Sequence, residues 1–586
     1  MFSVIMPVWN RAKVVDRAVR SVLAQTFKEY ELLIIDDGSE DGAAEVVKPY
    51  LSDKVIYHKT PHAGIGAARN FGIAQARQPY VAYLDPDNVW HPDFLARMSQ
   101  ALKESAGRYE AAYAVANAYH KHAGSNAFRL VGTVGEPFSF RKLLTRSFVN
   151  LNTFVHARGC VKHAGAHDET MKGLTGWDFI LRITSKYEPL FVPQALVDCY
   201  LVGADNSASL TGDQQAALAV IQARTRQWAC PARVAHDGIT YTPGRITEEK
   251  WYNWLRMNHR DLDTTHYKAY GFPHTLQIEV TSLCNLACPA CPAGRNELNR
   301  KRRHMALEEF KGIIDDMERW LLFLVLWEWG EPFMNPQLPE MVRYASERGI
   351  QSVTSTNAHF LNDQAYVEAM LQSGLTNLIV AIDSLCEANY QVYRKKGSLD
   401  KALAGLQNLI GTKRRLRSNT AINMRMVIMK QNEHELPQIR DLARELGADI
   451  FTVKTLNPSC GTTATDCDLL PTNPKFRRYV YREGTFERVR INAQCFRIWY
   501  MANILSTGDV VPCCYDYDAR LKMGNVYETP LSKLWNGPAY RALRERVYNQ
   551  KDTIERCRDC GINFKLSESG WIVEAIAFNA EKRART

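Results

Sequence analysis

The sequence predicts an α/β protein of several domains, and three observations support this fold class. The chain has 586 residues, which is enough for about three or four domains of the usual size. Short apolar runs closed by turn residues alternate with segments of helical periodicity, first near the start and again from residue 275 onwards. Such alternation is typical of parallel sheets covered by helices. Eight of the fourteen cysteines fall into two clusters, at residues 284–291 and 495–560.

Composition and charge exclude several classes of protein. Hydrophobic residues make up 46% of the chain and charged residues 23%, without low-complexity tracts or fixed repeats, so we do not expect disorder. The net charge of +10 is mild, and the basic stretch at residues 295–304 is interpreted as a solvated helix face rather than a phosphate contact. No segment interleaves aromatic and basic residues, so we expect no nucleic-acid partner.

The apolar segments predict a cytoplasmic protein without an integral membrane segment. Pro7 and Asn10 interrupt the apolar start, which argues against a signal peptide, and the longest later run, residues 321–327, is too short to span a membrane. Because the cytoplasm is reducing, we do not expect a disulfide framework. The six isolated cysteines are expected to be small buried hydrophobic residues.

The first predicted strands end in acidic residues. Residues 2–8 form an apolar run, residues 12–25 have helical periodicity, and a second apolar run leads to Asp37. Ligands of such sheets bind beyond the carboxyl ends of the strands, so Asp37 is predicted to lie at a nucleotide site. A later strand ends at Asp85 and Asp87, which can hold Mg²⁺ or Mn²⁺ on a diphosphate, although the same pattern is common in simple turns.

Four motifs that follow one another along the chain support the prediction of a nucleotide site. PVWN, IIDDGSEDG, GIGAARNFGI and LDPDN together resemble the family 2 glycosyltransferases over about residues 1–205. The resemblance implies a GT-A-like, Rossmann-like domain that uses a nucleotide-diphospho-sugar donor. It implies that Pro7 and Asp37 line the nucleotide pocket, while Asp85 and Asp87 handle the metal and the diphosphate.

The sequence departs from this family at the catalytic base. The family usually places an acidic pair there, whose aspartate deprotonates the acceptor hydroxyl, but this chain has Thr175 and Gly176. Neither can take a proton at neutral pH. Asp178 is the candidate substitute, with capping of its helix or pairing with Arg182 as the alternative. Donor binding and glycosyl transfer are therefore separate predictions.

The first cysteine cluster follows the predicted strand HTLQIEV. Cys284, Cys288 and Cys291 lack a fourth Cys or His at the spacing of a zinc finger, and His304 is too distant to complete one. Three thiolates instead suit a 4Fe-4S cluster with one open iron, which can bind a cofactor.

This spacing after a strand resembles the radical S-adenosylmethionine (radical SAM) superfamily. The resemblance implies a partial (βα)6 barrel in which S-adenosylmethionine binds the open iron and yields a radical that abstracts hydrogen from the substrate. It also implies an electron donor such as a flavodoxin or ferredoxin. Glu331 matches the segment that holds the methionine amino group, and Thr356, Asn357 and Asp383 end later strands. Ala290 and Ala381 stand where the family often has an aromatic residue and a serine.

Arg425 is a further candidate catalytic residue. It shares one face of a predicted strand with Asn423, opposite an apolar face that includes Met424 and Met426. We therefore expect Arg425 to point into the barrel and to bind the cofactor carboxylate or a substrate phosphate. The alternative is a surface edge strand.

The second cluster contains Cys495, Cys513, Cys557 and Cys560 around a hairpin predicted at residues 504–511. By spacing alone, structural zinc and a fully ligated iron–sulfur cluster both remain possible. The flanking motifs resemble the SPASM or twitch extension of radical SAM enzymes, which implies one auxiliary 4Fe-4S cluster because no cysteine follows Cys560. Cys514 is either a spare thiol or a ligand in place of Cys513.

The motifs divide the chain into five segments. They are a glycosyltransferase-like domain (1–205), a helical linker without assigned chemistry (206–272), a radical SAM core (273–475), an auxiliary cluster domain (476–575) and a basic tail (576–586).

The combined motifs predict a bifunctional enzyme that transfers a sugar and oxidises or epimerises a carbohydrate. An auxiliary cluster favours oxidation, elimination of a neighbouring group is also open, and a hydrogen-donating thiol such as Cys386 or Cys467 would favour epimerisation. Two alternatives remain. One is a peptide-modifying radical enzyme whose first domain glycosylates the same peptide. In the other, the first domain only binds and presents a sugar substrate.

Overall fold

The computed structural model describes residues 1–121, 128–201, 214–226, 228, 231–243, 246–258, 262–457, 468–491 and 493–578. The chain divides into two compact units, a first unit of residues 1–230 with 259–261 and a second unit of residues 231–258 with 262–586. Residues 231–258, part of the predicted linker, thus belong to the second unit. Cys230, Cys460, Cys467 and most of the predicted basic tail lie outside the described residues.

The first unit is an α/β fold built on one nine-stranded sheet, in the order β3-β2-β1-β4-β8-β6-β9-β5 with β7 beside β6. Its strands are β1 (Phe2–Val8), β2 (Tyr30–Asp36), β3 (Val55–Lys59), β4 (Tyr80–Tyr83), β5 (Val89–Trp90), β6 (Ala111–Lys121), β7 (Phe128–Val134), β8 (Phe154–Ala157) and β9 (Pro189–Leu201). Its helices are α1 (Ala12–Leu23), α2 (Ala43–Val47), α3 (Ile65–Gln75), α4 (Phe94–Glu104), α5 (Phe140–Leu143), α6 (Cys160–Ala164), α7 (Thr175–Thr184) and α8 (Gln214–Arg226).

The topology of this sheet places the acidic motifs along one edge. Strands β3, β2, β1 and β4 are parallel neighbours, so their carboxyl ends meet on the same side. Asp37 directly follows β2, and Asp85 comes two residues after β4. The α/β class predicted from the alternating pattern is confirmed for this unit.

The second unit contains six consecutive parallel strands, β12 to β17, which form the partial barrel. β18 extends the sheet beside β12, and the full order is β20-β19-β18-β12-β13-β14-β15-β16-β17-β21, with β10 and β11 in a separate hairpin. The strands are β10 (Val234–His236), β11 (Ile239–Tyr241), β12 (Thr275–Ile278), β13 (Phe323–Val325), β14 (Gln351–Thr356), β15 (Asn377–Ala381), β16 (Ala421–Ile428), β17 (Ile450–Thr455), β18 (Met501–Ile504), β19 (Asp509–Val511), β20 (Gly524–Asn525) and β21 (Ile572–Ala577).

The second unit also contains ten helices among the described residues, and many of them pack on the core of the sheet. They are α9 (Glu248–Met257), α10 (Leu307–Met317), α11 (Leu338–Glu347), α12 (Gln364–Gln372), α13 (Glu387–Tyr393), α14 (Leu399–Leu416), α15 (Leu436–Leu446), α16 (Leu531–Leu534), α17 (Pro538–Gln550) and α18 (Glu555–Arg558).

Strand β16 shows how the sequence pattern sorts the two faces. Ile422, Met424 and Met426 are fully buried in the core beneath the helices, so the alternate residues Asn423 and Arg425 face the barrel interior. The strand pairs on both sides, with β15 and β17, which excludes the alternative of an edge strand.

The described residues contain no helix with the length and apolar character needed to cross a membrane.

Candidate functional site

Asp37 lies at the carboxyl end of β2, at the edge of the sheet of the first unit, and is almost fully buried. Its carboxylate accepts hydrogen bonds from the backbone N–H groups of Ala63 and Gly64, at 2.8 and 2.9 Å, and lies 2.9 Å from Nδ1 of His62. The His62 ring stacks on Trp9, with centroids 4.4 Å apart, and Trp9 is half exposed. The carboxylate thus orders the turn before α3 beneath a flat aromatic surface. Trp9 and His62 were not predicted, because neither is part of an acidic motif.

Pro7 is the second residue that the sequence places at the nucleotide pocket. It lies inside β1, where it is buried and aligned with Ile35 of β2. Pro7 therefore shapes the edge of the sheet through its backbone rather than by offering a polar contact.

Asp85 and Asp87 stand on the same edge with different partners. Asp85 accepts hydrogen bonds from Arg69 Nη2 at 2.8 Å and from Asn152 Nδ2 at 3.1 Å. Burial, and then the negative charge of Asp85, raises the pKa of Asp87 to about 6. Burial and a neighbouring negative charge disfavour the ionised form of a carboxylate, and a bound divalent cation stabilises that form. Hard oxygen ligands suit Mg²⁺ or Mn²⁺.

The candidate base Asp178 is held by arginines instead of facing an acceptor. It is 1% exposed, accepts a hydrogen bond from Arg182 Nε at 2.9 Å, and is also paired with Arg224 of α8. Both carboxylate oxygens of Asp178 are thus engaged by guanidinium groups, Oδ2 by Arg182 and Oδ1 by Arg224. The geometry matches the pairing alternative and does not support the prediction that Asp178 acts as a base.

Thr175 and Gly176, at the positions of the expected acidic pair, are the first two residues of α7. Thr175 Oγ1 accepts a hydrogen bond from Arg69 Nη1 at 3.1 Å, so Arg69 joins Thr175 to Asp85. A side chain added at Gly176 would first meet Leu151 Cβ at 3.4 Å, which is ordinary contact. The position therefore accepts a Cβ atom without a clash.

In the second unit, Cys284, Cys288 and Cys291 lie in the tight loop after β12. The Cys291 N–H donates to the Cys288 carbonyl at 3.1 Å. A Cβ at Gly294 would lie only 2.4 Å from the same carbonyl, so glycine is required for this close approach. Among the described residues, no three His, Cys, Asp or Glu side chains are already grouped as metal ligands. The fit of these cysteines to a cluster therefore rests on their spacing and surroundings.

Glu331 is brought together with the end of β14. Its carboxylate accepts hydrogen bonds from the backbone N–H groups of Asn357, at 2.8 Å, and Phe333, at 3.1 Å. Thr356 and Asn357 are buried beside it, and Asn357 Nδ2 donates to Asn285 Oδ1 in the cysteine loop at 2.8 Å. Burial raises the pKa of Glu331 to about 7. Three residues predicted for cofactor binding thus border the cysteine loop.

Asp383 lies at the same end of the barrel, paired with an arginine that the sequence motifs did not reveal. It accepts hydrogen bonds from the Val427 N–H at 2.7 Å and from Arg394 Nε at 2.5 Å. Arg394 Nη1 is also 4.0 Å from the Cys288 sulfur. Arg394 therefore connects the predicted cofactor residue to the cysteine loop.

Arg425 points into the barrel, as its strand pattern predicts, but it already has an acidic partner. Arg425 Nη1 donates to Asp237 at 2.6 Å, and Nε donates to Thr452 Oγ1 at 2.9 Å. Asp237 belongs to the β10–β11 hairpin, in the segment to which no chemistry was assigned.

The auxiliary cysteines Cys495, Cys513, Cys557 and Cys560 lie around the hairpin β18–β19, whose predicted turn is confirmed. Burial raises the pKa of Cys513, and the next causes are its neighbours Cys514, Cys560 and Cys495. The pKa of Cys557 is raised to about 12 by burial and then by Cys495. Cys495 thus affects the pKa of both Cys513 and Cys557.

Cys514 has different surroundings from Cys513. Its sulfur is 3.6 Å from Arg497 Nη1, and burial raises its pKa, with Arg497 opposing and Glu328 adding to the effect. Of the thiols suggested as hydrogen donors, Cys386 is exposed at the start of α13, and Cys467 is outside the described residues.

Three family profiles match the chain. Glycosyl transferase family 2 matches residues 3–161, the radical SAM superfamily matches residues 278–443, and an iron-sulfur cluster-binding domain of the SPASM type matches residues 495–561.

Similar curated proteins each match part of the chain. A Fe-coproporphyrin III synthase of Methanosarcina barkeri is 32% identical over 166 residues, which is 28% of this chain and 40% of that protein. The mycofactocin maturase MftC of Mycobacterium tuberculosis is 25% identical over 310 residues, or 49% of this chain and 76% of that protein. An uncharacterized glycosyltransferase of Rickettsia conorii, RC0461, is 41% identical over 104 residues, or 18% of this chain and 17% of that protein.

The matched regions agree with the two units and their cysteine sets. The radical SAM and SPASM regions imply 4Fe-4S clusters and S-adenosylmethionine. The chain is therefore an enzyme that joins a glycosyl transferase family 2 region to a radical SAM core and an iron-sulfur cluster-binding domain.

Proposed function

We propose that the chain is a bifunctional enzyme that transfers a sugar from a nucleotide-diphospho-sugar donor and abstracts hydrogen from a sugar or glycosylated substrate. The observation that carries the proposal is the presence of both sites in one chain. Asp37, Asp85 and Asp87 share one sheet edge in the first unit, and two cysteine sets belong to the second. An enzyme that binds an activated sugar is expected to direct its radical chemistry at that sugar or at its acceptor.

In the second unit, Cys284, Cys288 and Cys291 would hold the 4Fe-4S cluster, with Glu331 and Asn357 beside S-adenosylmethionine. The cluster and S-adenosylmethionine, when bound, supply the radical that abstracts hydrogen. The chain orients the cofactor and excludes water, and Glu331 would accept hydrogen bonds from the methionine amino group. An auxiliary cluster held by four cysteines leaves no iron for substrate, so it would accept an electron, which favours oxidation.

The affinity for S-adenosylmethionine is expected to fall as the pH falls through 7. Glu331 has a pKa of about 7, raised by burial, so acidification neutralises the carboxylate that would pair with the ammonium group. The dissociation constant is expected to rise about tenfold between pH 8 and pH 6. Equilibrium binding to the reconstituted chain measures it. Glu331→Gln should bind weakly with a flat pH profile, whereas a profile as steep as that of the wild type would contradict this role.

A second candidate function is that the first unit binds and presents a sugar nucleotide without transferring the sugar. The absence of a catalytic base favours this presenting function. Gly176 stands where the family has an acidic residue, and Asp178 is engaged by Arg182 and Arg224. A radical maturase is the other alternative, and the likeness to the mycofactocin maturase MftC favours it.

A panel of nucleotide sugars with Mn²⁺ tests the transferase half. We expect one donor to bind and to release nucleotide diphosphate when acceptors are present, and Asp87→Ala to abolish both effects because Asp87 would hold the metal. Binding without release would support the presenting function. Absence of both would contradict the carbohydrate assignment.

Gly176→Asp distinguishes a missing base from an unsuitable acceptor. A Cβ atom added at this position makes only ordinary contact, since its nearest neighbour, Leu151 Cβ, is 3.4 Å away. If the base limits transfer, Gly176→Asp is expected to raise nucleotide release by about 10²-fold or more, while Gly176→Ala should leave it unchanged. Equal rates in the two variants would show that the absence of an acid at residue 176 does not limit transfer.

A further inference from the structure

The β10–β11 hairpin places an acidic tip inside the second unit. Asp237 and Gly238 form its two-residue turn, with φ values of 47° and 79°, as tight hairpins require. The Tyr241 ring packs on Phe323 at 4.6 Å, and its hydroxyl accepts a hydrogen bond from Asn377 Nδ2 at 2.9 Å. The hairpin is thereby fixed against the starts of β13 and β15, so the position of Asp237 is determined by packing.

The carboxylate at the tip of the hairpin pairs with two basic side chains. Asp237 Oδ2 accepts hydrogen bonds from Arg425 Nη1 at 2.6 Å and from Lys454 Nζ at 3.1 Å. Arg425 and Lys454 come from the neighbouring strands β16 and β17. One negative charge shared by two positive charges leaves this part of the barrel with a net positive charge.

Hydrogen-bond donors remain available beside this ion cluster. Arg425 Nη2 and Asn423 Nδ2 are buried and have no hydrogen-bond partner among the residues that the structure describes. A buried donor without a partner is unfavourable, and an accepting ligand would relieve that cost. The Lys454 side chain is 29% exposed, so part of it reaches the surface of the unit. Three kinds of donor are thus aligned along the inward faces of β16 and β17.

Other groups around this cluster do not cancel its charge. The pKa of His236 is lowered to about 4, chiefly by burial, and the positive charges of Lys454, Arg425 and Arg497 add to this effect while Asp237 opposes it. Burial, and then the charge of Glu279, raises the pKa of Glu328 to about 8, which leaves Glu328 largely uncharged at neutral pH. The region therefore attracts anions.

We propose that Arg425, Lys454 and Asn423 bind an anionic group of the radical substrate, a phosphate or a carboxylate, and that Asp237 competes with it for Arg425. The inference rests on one part of the proposed function, namely that the substrate of hydrogen abstraction binds inside the barrel of the second unit. It narrows that substrate to a sugar phosphate, a sugar acid or another anion, and it disfavours a neutral sugar.

Calorimetry with inorganic phosphate and with acetate tests the site on the full, anaerobically reconstituted chain. EDTA is included so that a cation held by Asp85 and Asp87 does not bind the probe. We expect at least one probe to bind, and the preferred probe identifies the phosphate or the carboxylate source. Arg425→Met and Lys454→Met are each expected to weaken binding about 10- to 100-fold, because each removes a charged donor.

Three further variants test whether the effect is specific to this site. Asp237→Asn is expected to bind the probe more tightly than the wild type, because a like charge next to the ligand is removed; a merely structural role would not raise the affinity. Arg319→Met, at an exposed arginine of the same unit, is the matched control and should bind as the wild type does. Arg425→Lys keeps the charge and should retain measurable binding if Arg425→Met folds poorly.

The proposal is overturned if the wild type binds neither probe, or if Arg425→Met, Lys454→Met and the wild type bind equally. The experiment contains no nucleotide sugar and no S-adenosylmethionine. If the anion probe binds but no nucleotide sugar does, only the carbohydrate assignment is refuted. If a nucleotide sugar binds and is turned over but neither anion probe binds, only the anion site is refuted.

Discussion

Replacing Arg394 with methionine is expected to lower the free energy of unfolding of the second unit by about 3–5 kcal/mol. Asp383 is 1% exposed, and Arg394 Nε donates to it at 2.5 Å. Without the guanidinium group, a buried carboxylate has no counter-charge, although it keeps the hydrogen bond from the Val427 N–H. Urea unfolding of the reconstituted chain, followed by circular dichroism, measures the change.

Two variants separate the ion pair from general packing. The double variant Asp383→Asn with Arg394→Met removes both charges and is expected to recover much of the lost stability, since no uncompensated charge remains. Arg319→Met, at an exposed arginine, should unfold as the wild type does. Wild-type stability of the single Arg394→Met variant would show that the pair does not hold this end of the barrel together.

Replacing Cys513 with serine is expected to remove the auxiliary cluster, whereas replacing Cys514 leaves it in place. Cys513 is electrostatically coupled to Cys560 and Cys495, while the Cys514 sulfur contacts Arg497. We expect about eight iron atoms per chain in the wild type and in Cys514→Ser, and about four in Cys513→Ser. Iron and sulfide analysis after anaerobic reconstitution provides the measurement.

The opposite pattern, with iron lost from Cys514→Ser and kept in Cys513→Ser, would make Cys514 the ligand. Cys386→Ser is the matched control, because Cys386 is exposed and lies outside both clusters. Zinc without iron in the wild type would contradict the assignment of both clusters.

Features set by local patterning could be predicted from the sequence. The apolar positions of β16 face the helices and leave Asn423 and Arg425 inside the barrel, as a repeat of two residues requires. The turn between β18 and β19 likewise follows from the local sequence STGD. Both features depend on neighbours within a few residues, which a single sequence displays.

Contacts between distant segments could not be predicted in this way. Arg425 and Asp237 are separated by 188 positions, and no spacing rule connects a hairpin tip with a barrel strand. The same holds for Asp178: its pairing with Arg182 is visible at four residues, but its pairing with Arg224 depends on how α8 packs. The role of a motif residue therefore depends on contacts with residues distant in the sequence, and these contacts become visible only in the folded structure.

The most direct test of the central claim is the transfer of deuterium from a labelled sugar to 5′-deoxyadenosine. The reconstituted chain is incubated with S-adenosylmethionine, a reductant, acceptors and the donor chosen by the panel, with every carbon-bound hydrogen of its sugar replaced by deuterium. We predict 5′-deoxyadenosine that carries one deuterium, detected by mass spectrometry, because a sugar hydrogen is abstracted. Formation of 5′-deoxyadenosine without deuterium, at the same rate with and without the sugar nucleotide, would contradict a carbohydrate as the radical substrate.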